Sequence, residues 1–217
     1  MQKSLYSLML SDSVVSGIDL LALKKGTNRS NLINMILAEY LSLTTPEMRI
    51  ENIFRQMESL FSSYESVVPV MTPNRPVMSV KSTLEYKYRP TVKYDVRLYR
   101  QAQMQAIGDM SVTFRTQSHS LIEITEEFFK FWYSLEKKYI KHEYFKNIQY
   151  SLDDGKFTRT IMLFDANESS LDVIAQGITD YIKCLDLVMK GVVSGRYSSA
   201  DAERIYTDYL KNAQCLI

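Results

Sequence analysis

The 217-residue sequence predicts an α+β protein, a small N-terminal unit followed by a larger body. Three observations carry this. The chain opens on one alternating apolar run and two helical stripes parted at Gly26. From Val80 the pattern changes to a period of two, as in antiparallel strands with one wet face. Helical stripes return after Ser118 and Ser169, with an Asp153-Asp154-Gly155 tight-turn signal between them. The boundaries read as residues 1–45, a connecting helix and Pro-rich loop over 46–76, and an α+β domain over 77–217.

In the first run Ser4, Tyr6, Leu8 and Leu10 point one way and Leu5, Ser7 and Met9 the other, because strand side chains alternate. Ser11 or Asp12 can cap a first helix, whose apolar stripe is Val14, Ile18, Leu21 and Ala22. Gly26 ends it, since glycine tolerates the left-handed conformation of helix C-termini. Thr27 or Asn28 caps a second helix, with Leu32, Ile33, Ile36, Leu37 and Tyr40 as its buried face. Pro46 suits the first position of a third helix, striped by Ile50, Ile53, Phe54, Met57, Leu60, Phe61 and Tyr64. Pro69, Pro73, Asn74 and Pro76 read as a loop or hinge.

Val80, Ser82, Leu84, Tyr86 and Tyr88 then alternate with charged or polar residues, as do Val92, Tyr94, Val96 and Leu98. The two runs join across Arg89-Pro90-Thr91. Met110–Arg115 reads as a third strand. Ser118 caps a long helix striped by Leu121, Ile124, Phe128, Phe129, Trp132, Leu135 and Tyr139. A strand pair over 145–151 and 157–164 and helices over 169–190 and 199–213 complete a body of four or five strands.

Composition is that of an ordinary globular chain, 46% hydrophobic and 24% charged. A net charge of +1 does not announce a nucleic-acid binder, although a small basic head would be diluted by a neutral body. Cys184 and Cys215 follow no metal or redox spacing and read as reduced thiols of a cytoplasmic protein. No apolar run approaches the roughly 18 residues that cross a bilayer, and Met1-Gln2-Lys3-Ser4 lacks the apolar stretch of an export signal. His119 and His142 are the only histidines, too few for a metal-sensing set. There is no glycine loop for phosphate, no nucleophile elbow and no zinc spacing. An enzyme, a metal and a cofactor are therefore not expected.

The order Leu8-Met9-Leu10-Ser11-Asp12, Ile18-Asp19-Leu20-Leu21-Ala22 and Gly26-Thr27-Asn28-Arg29-Ser30-Asn31-Leu32-Ile33 resembles the ribbon-helix-helix family of Arc, the methionine repressor and CopG-type regulators. The likeness covers about residues 3–43. It implies an intertwined homodimer or higher oligomer in which strands of two chains pair over four helices. In that family outward strand residues enter the major groove, here Leu5, Ser7 and Met9. The start of the second helix holds a phosphate through backbone amides and its dipole, here Thr27, Asn28, Arg29 and Ser30 with Lys24 and Lys25 as charge partners.

One departure matters. Family ribbons commonly carry side chains that pair with bases, whereas Leu5 and Met9 offer only apolar contact. Either readout leans on phosphates and DNA shape, or the head is kept as a dimeriser. The body is similar to uncharacterised Gram-positive bacterial proteins bearing this head, which fixes no activity.

The resemblance thus implies a cytoplasmic bacterial DNA-binding transcriptional regulator, a repressor acting on double-stranded DNA. Its body would serve oligomerisation, a protein partner or a small-molecule effector, with no membrane role. The alternative is a scaffold or antitoxin-like protein that uses the head only to dimerise.

Residues 75–115 hold Arg75, Lys81, Lys87, Arg89, Lys93, Arg97, Arg100 and Arg115 against Glu85, Asp95 and Asp109, interleaved with Tyr86, Tyr88, Tyr94 and Tyr99. The simpler reading is a solvated sheet face whose lysines discourage edge-to-edge association. The sharper one is a second surface for phosphate or single-stranded nucleic acid. Phe128, Phe129, Phe131, Trp132 and Tyr133 read first as core and otherwise as a pocket or subunit contact.

Overall fold

Local signals set most element boundaries. The computed structural model describes residues 5–71, 76–103, 105–153, 155–163 and 170–213. Their elements are α1 (Asp12–Lys24), α2 (Arg29–Tyr40), α3 (Pro46–Ser62), β1 (Val67–Met71), β2 (Val77–Thr83), β3 (Thr91–Gln103), β4 (Ala106–Arg115), α4 (His119–Tyr139), α5 (His142–Phe145), β5 (Tyr150–Asp153), β6 (Lys156–Met162), α6 (Leu171–Val193) and α7 (Ser199–Asn212). The expected α+β class holds.

The six strands form one antiparallel sheet in the order β1-β2-β3-β4-β6-β5. Core-facing residues run across it in register: Val80, Tyr94, Val112 and Phe157 in one row, and Met78, Val96, Met110 and Arg159 in the next. Helices α3, α4, α6 and α7 join the same core through Phe54, Met57, Phe129, Trp132, Ile182, Leu185 and Tyr206. The rings of Phe129 and Phe157 stack at 4.4 Å, tying α4 to the sheet. The opposite face keeps Lys81, Lys93, Arg97, Ser111 and Thr113 outward. Gly108 is required where β4 bends, since a Cβ there would lie 2.1 Å from the Arg97 carbonyl oxygen.

Several expectations are corrected. Residues 5–10 form no strand, and the first element is α1; a strand exists only through pairing, and this single chain offers none. Val67–Met71, expected within a loop or hinge, is an edge strand; its Pro69 is tolerated there because an edge donates fewer ladder bonds. With α3 in the core and β1 in the sheet, segment 46–76 belongs to the body rather than to a connector. β2 stops at Thr83, and Tyr86 and Tyr88 leave the sheet in the loop before Pro90. Phe145 lies in the short helix α5, so β5 starts only at Tyr150. Asp153 pairs with Lys156 across the β5–β6 hairpin, with Gly155 at φ 70; Asp154, Phe164, Ser169, Arg75, Pro73, Asn74, Ser4 and Cys215 lie outside the described residues.

The body also buries charge, which the sequence reading did not foresee. Arg159 Nε donates to Glu136 Oε2 at 2.9 Å. Tyr181 donates to Glu136 Oε1 at 2.8 Å and accepts from Trp132 Nε1 at 2.9 Å. Tyr150 donates to Glu136 as well, and the guanidinium lies 4.6 Å from the Tyr181 ring centre. Burial pulls Arg159 toward neutrality, but the adjacent Glu136 charge prevails and holds it protonated. A second buried pair joins Lys190 to Asp186 at 2.6 Å, with Tyr94 donating to Asp186 at 2.9 Å. Glu136 sits four residues after Trp132 on the α4 stripe, and Arg159 shares strand parity with Phe157 and Ile161, so both fall on buried faces once the sheet is assembled.

Candidate nucleic-acid interface

The head is residues 5–45. Its first helix starts at Ser11, which takes the N-cap position without a side-chain cap bond; the Ser11 hydroxyl meets Ser13 at 3.1 Å instead. α1 ends in a Schellman turn. The Thr27 amide donates to Ala22 O at 2.9 Å and the Gly26 amide to Leu23 O at 3.1 Å, with Gly26 at φ 60. Asn28 then caps α2, accepting from the Asn31 amide at 2.8 Å.

This places the expected phosphate residues together. Lys24 and Lys25 stand exposed at the end of α1, and Thr27, Asn28, Arg29 and Ser30 turn into α2 within one tight loop. The first amides of a helix have no intrahelical acceptor and carry the positive end of its dipole. Arg29 is engaged, however. Its Nε and Nη2 donate to Asp19 at 2.7 and 2.6 Å, bridging α2 to α1. Those bonds hold the Asp19 carboxyl below its usual range, and the same partner raises Arg29. The resemblance implies a phosphate role for Arg29, whereas its guanidinium here meets Asp19, ten positions away.

Leu5, Ser7 and Met9 are exposed in the irregular lead-in to α1, with Leu8 and Tyr6. They share a segment, not a strand face. The faces expected to be buried in the helices are buried only in part: Ala22 and Leu32 are, and Ile18 and Ile33 are half-buried, but Val14, Leu21, Ile36, Leu37 and Tyr40 are exposed. Fourteen of the twenty exposed large hydrophobic side chains among the described residues fall between Leu5 and Leu43. Isolated exposed apolar residues are ordinary, but a concentrated set marks a surface that something covers.

No family model, curated protein or solved structure matches this chain.

Among the described residues no group of three or more His, Cys, Asp or Glu gathers as a metal set, and no helix is long and apolar enough to cross a membrane. The basic, tyrosine-rich stretch divides. Tyr94 is buried on Asp186. Tyr99 donates to Asp109 at 2.6 Å, and burial with that contact pushes its hydroxyl up to about 12. Lys93 pairs with Asp95 at 2.8 Å. Tyr88 alone of these four is wholly exposed.

Proposed function

We propose that this protein is a dimeric, sequence-specific DNA-binding regulator, a repressor, whose N-terminal head is a ribbon-helix-helix unit completed by a second copy. The observation that carries the reading is the apolar surface spread over residues 5–43, too large for one chain to leave in water. Two lead-in segments paired antiparallel would turn Tyr6, Leu8 and Leu10 onto the four helices and leave Leu5, Ser7 and Met9 facing a DNA groove. Ribbon readers of this kind place paired strands against base edges. The Lys24–Ser30 turn would then lie beside the phosphates, adding affinity without sequence information. The body would serve oligomerisation or an effector.

A second reading has its own support. The Arg29–Asp19 bridge and the apolar character of Leu5 and Met9 suit a head that dimerises without reading bases, as in a scaffold or antitoxin-like protein. A mobility-shift titration with bulk duplex DNA separates the two. A regulator binds at about 50 mM salt and loses affinity by orders of magnitude toward about 200 mM; a dimeriser binds at neither. Leu8→Asp should yield a monomer by light scattering on the eluting peak, and an unchanged dimer would place subunit contacts elsewhere. Ser7→Ala should change sequence preference more than total affinity, and an equal loss on specific and random duplex would remove Ser7 from base reading.

A further inference from the structure

The loop Leu84–Pro90 between β2 and β3 is the most strained stretch of the described backbone. Tyr88 and Arg89, neither a glycine, sit consecutively at φ 65 and φ 44. Left-handed residues of this kind persist only where surrounding structure fixes them, and they gather at ligand-contacting segments. Here three bonds fix them: the Leu84 amide to Pro90 O at 3.0 Å, the Tyr86 amide to Leu84 O at 2.9 Å, and the Arg89 amide to Tyr86 O at 2.8 Å. Leu84 and Pro90 are buried and anchor both ends.

What the loop displays is specific. Tyr88 is 92% exposed, with the Lys87 ammonium 5.9 Å from its ring centre. Its neighbours Glu85, Tyr86, Lys87 and Arg89, with Val193 and Ser194, line an open surface groove of about 580 Å3. The far wall is rigid, because α6 ends in a Schellman turn with the Arg196 amide donating to Gly191 O at 2.8 Å and Gly195 at φ 73. Glu85, the one acid of the lining, is neutralised by Arg196 at 2.9 Å, and Arg196 is itself held by the Ser194 hydroxyl at 3.1 Å. Neither Lys87 nor Arg89 has a carboxylate partner among the described residues.

We propose that this loop and groove bind a single-stranded nucleic-acid segment, with Tyr88 stacked on one base and Lys87 and Arg89 on the flanking phosphates. A projecting ring between two uncompensated cations matches a chain that alternates flat base and phosphate. Bases of an intact duplex are stacked on each other and present no face to Tyr88, so the strand is single. The site lies on the body and is independent of duplex recognition by the head.

Fluorescence anisotropy of the full chain with a labelled mixed-sequence DNA strand of about twelve nucleotides tests it. The wild-type protein should bind, Tyr88→Phe should match it, and Tyr88→Ala should weaken binding about tenfold. Lys87→Gln and Arg89→Gln should each lower the log–log salt slope by about 0.7. Tyr88 is too exposed for its replacement to disturb folding, and equal melting temperatures check this. Failure of the wild-type protein to bind the strand overturns the proposal. So does undiminished binding by Tyr88→Ala, which would put the strand on the head. Displacement by a polyglutamate peptide as effective as by unlabelled strand would also overturn it, marking a surface for acidic protein segments.

Discussion

Head and body handle the same raw material in opposite ways. Both carry amphipathic helices with apolar stripes of ordinary length. In the body those stripes close on a sheet, and residues from Ile50 to Tyr206 form one continuous core. In the head much of the α1 and α2 stripes faces water, and no residue before Ile50 joins that core. Charges follow the same division. The body buries Glu136 with Arg159 and Asp186 with Lys190, whereas the head's Asp19–Arg29 bridge stays in solvent. The body's helices find their cover within the chain, whereas those of the head leave much of their apolar surface exposed.

The sharpest way to test that contrast is to break a buried charge pair. Arg159→Ala leaves Glu136 charged and unpartnered in the core, and should cost about 3–5 kcal/mol in urea unfolding. The paired change Glu136→Leu with Arg159→Met should cost far less, because no charge is stranded. If the single change proves as mild as the double, the pair is not the sealed structure described. Asp19→Asn in the head should leave the body's melting temperature unmoved.

Alkaline pH should weaken the body next. Burial pushes the Cys184 thiol up to about 12 from 9.0. The unfolded chain therefore loses this proton first as pH rises, so stability is intact below about pH 9 and falls between there and about pH 12. Tyr99 acts in the same direction. Denaturant midpoints across that window measure the decline, and peptide mapping should find Cys184 alkylated only after unfolding. Labelling of Cys184 in the native protein at neutral pH would contradict its burial.

Dilution separates the regions by a smaller margin. Helix signal from the head should melt earlier as protein concentration falls, while the near-ultraviolet signal of the buried Trp132 keeps its midpoint. Smallest of all is Ser42→Gly. Ser42 sits at φ 55 where α2 ends, its amide on Glu39 O at 3.1 Å and that of Leu43 on Ala38 O at 2.8 Å. Glycine adopts this conformation without the side-chain penalty but costs chain entropy, so the net gain should be roughly 0.5 kcal/mol. A loss would mean the Ser42 side chain does more at that turn than the backbone requires.

Legibility in the sequence followed the range of the interaction. The Asn28 cap, the Gly26 stop, Pro46 opening α3 and Ser118 opening α4 were readable because each depends on groups within about four residues. The turn at Gly155 was readable for the same reason, while the β2–β3 pairing showed in the period-two alternation but not in where β2 ends, at Thr83. Val67–Met71 was missed because Pro69 masks a strand unless its edge position is known. Arg159 was missed because one strand's parity does not say which face is buried until Met110 and Val96 stand beside it. The Asp19 partner of Arg29 was not readable, because it lies ten positions away, across the packing of two helices.

The sequence by itself determined the α+β character, most helix starts and the stop at Gly26. These are local matters of backbone geometry, side-chain period and terminal hydrogen bonds. Only the tertiary structure decided the order of the six strands, the incorporation of α3 and β1 into the body, and the pairing of Glu136 with Arg159. It alone set Tyr88 outward on a strained turn and left much of the apolar faces of α1 and α2 uncovered. Burial is a relation between distant segments, and a periodic stripe states only that a face is oily, never what meets it.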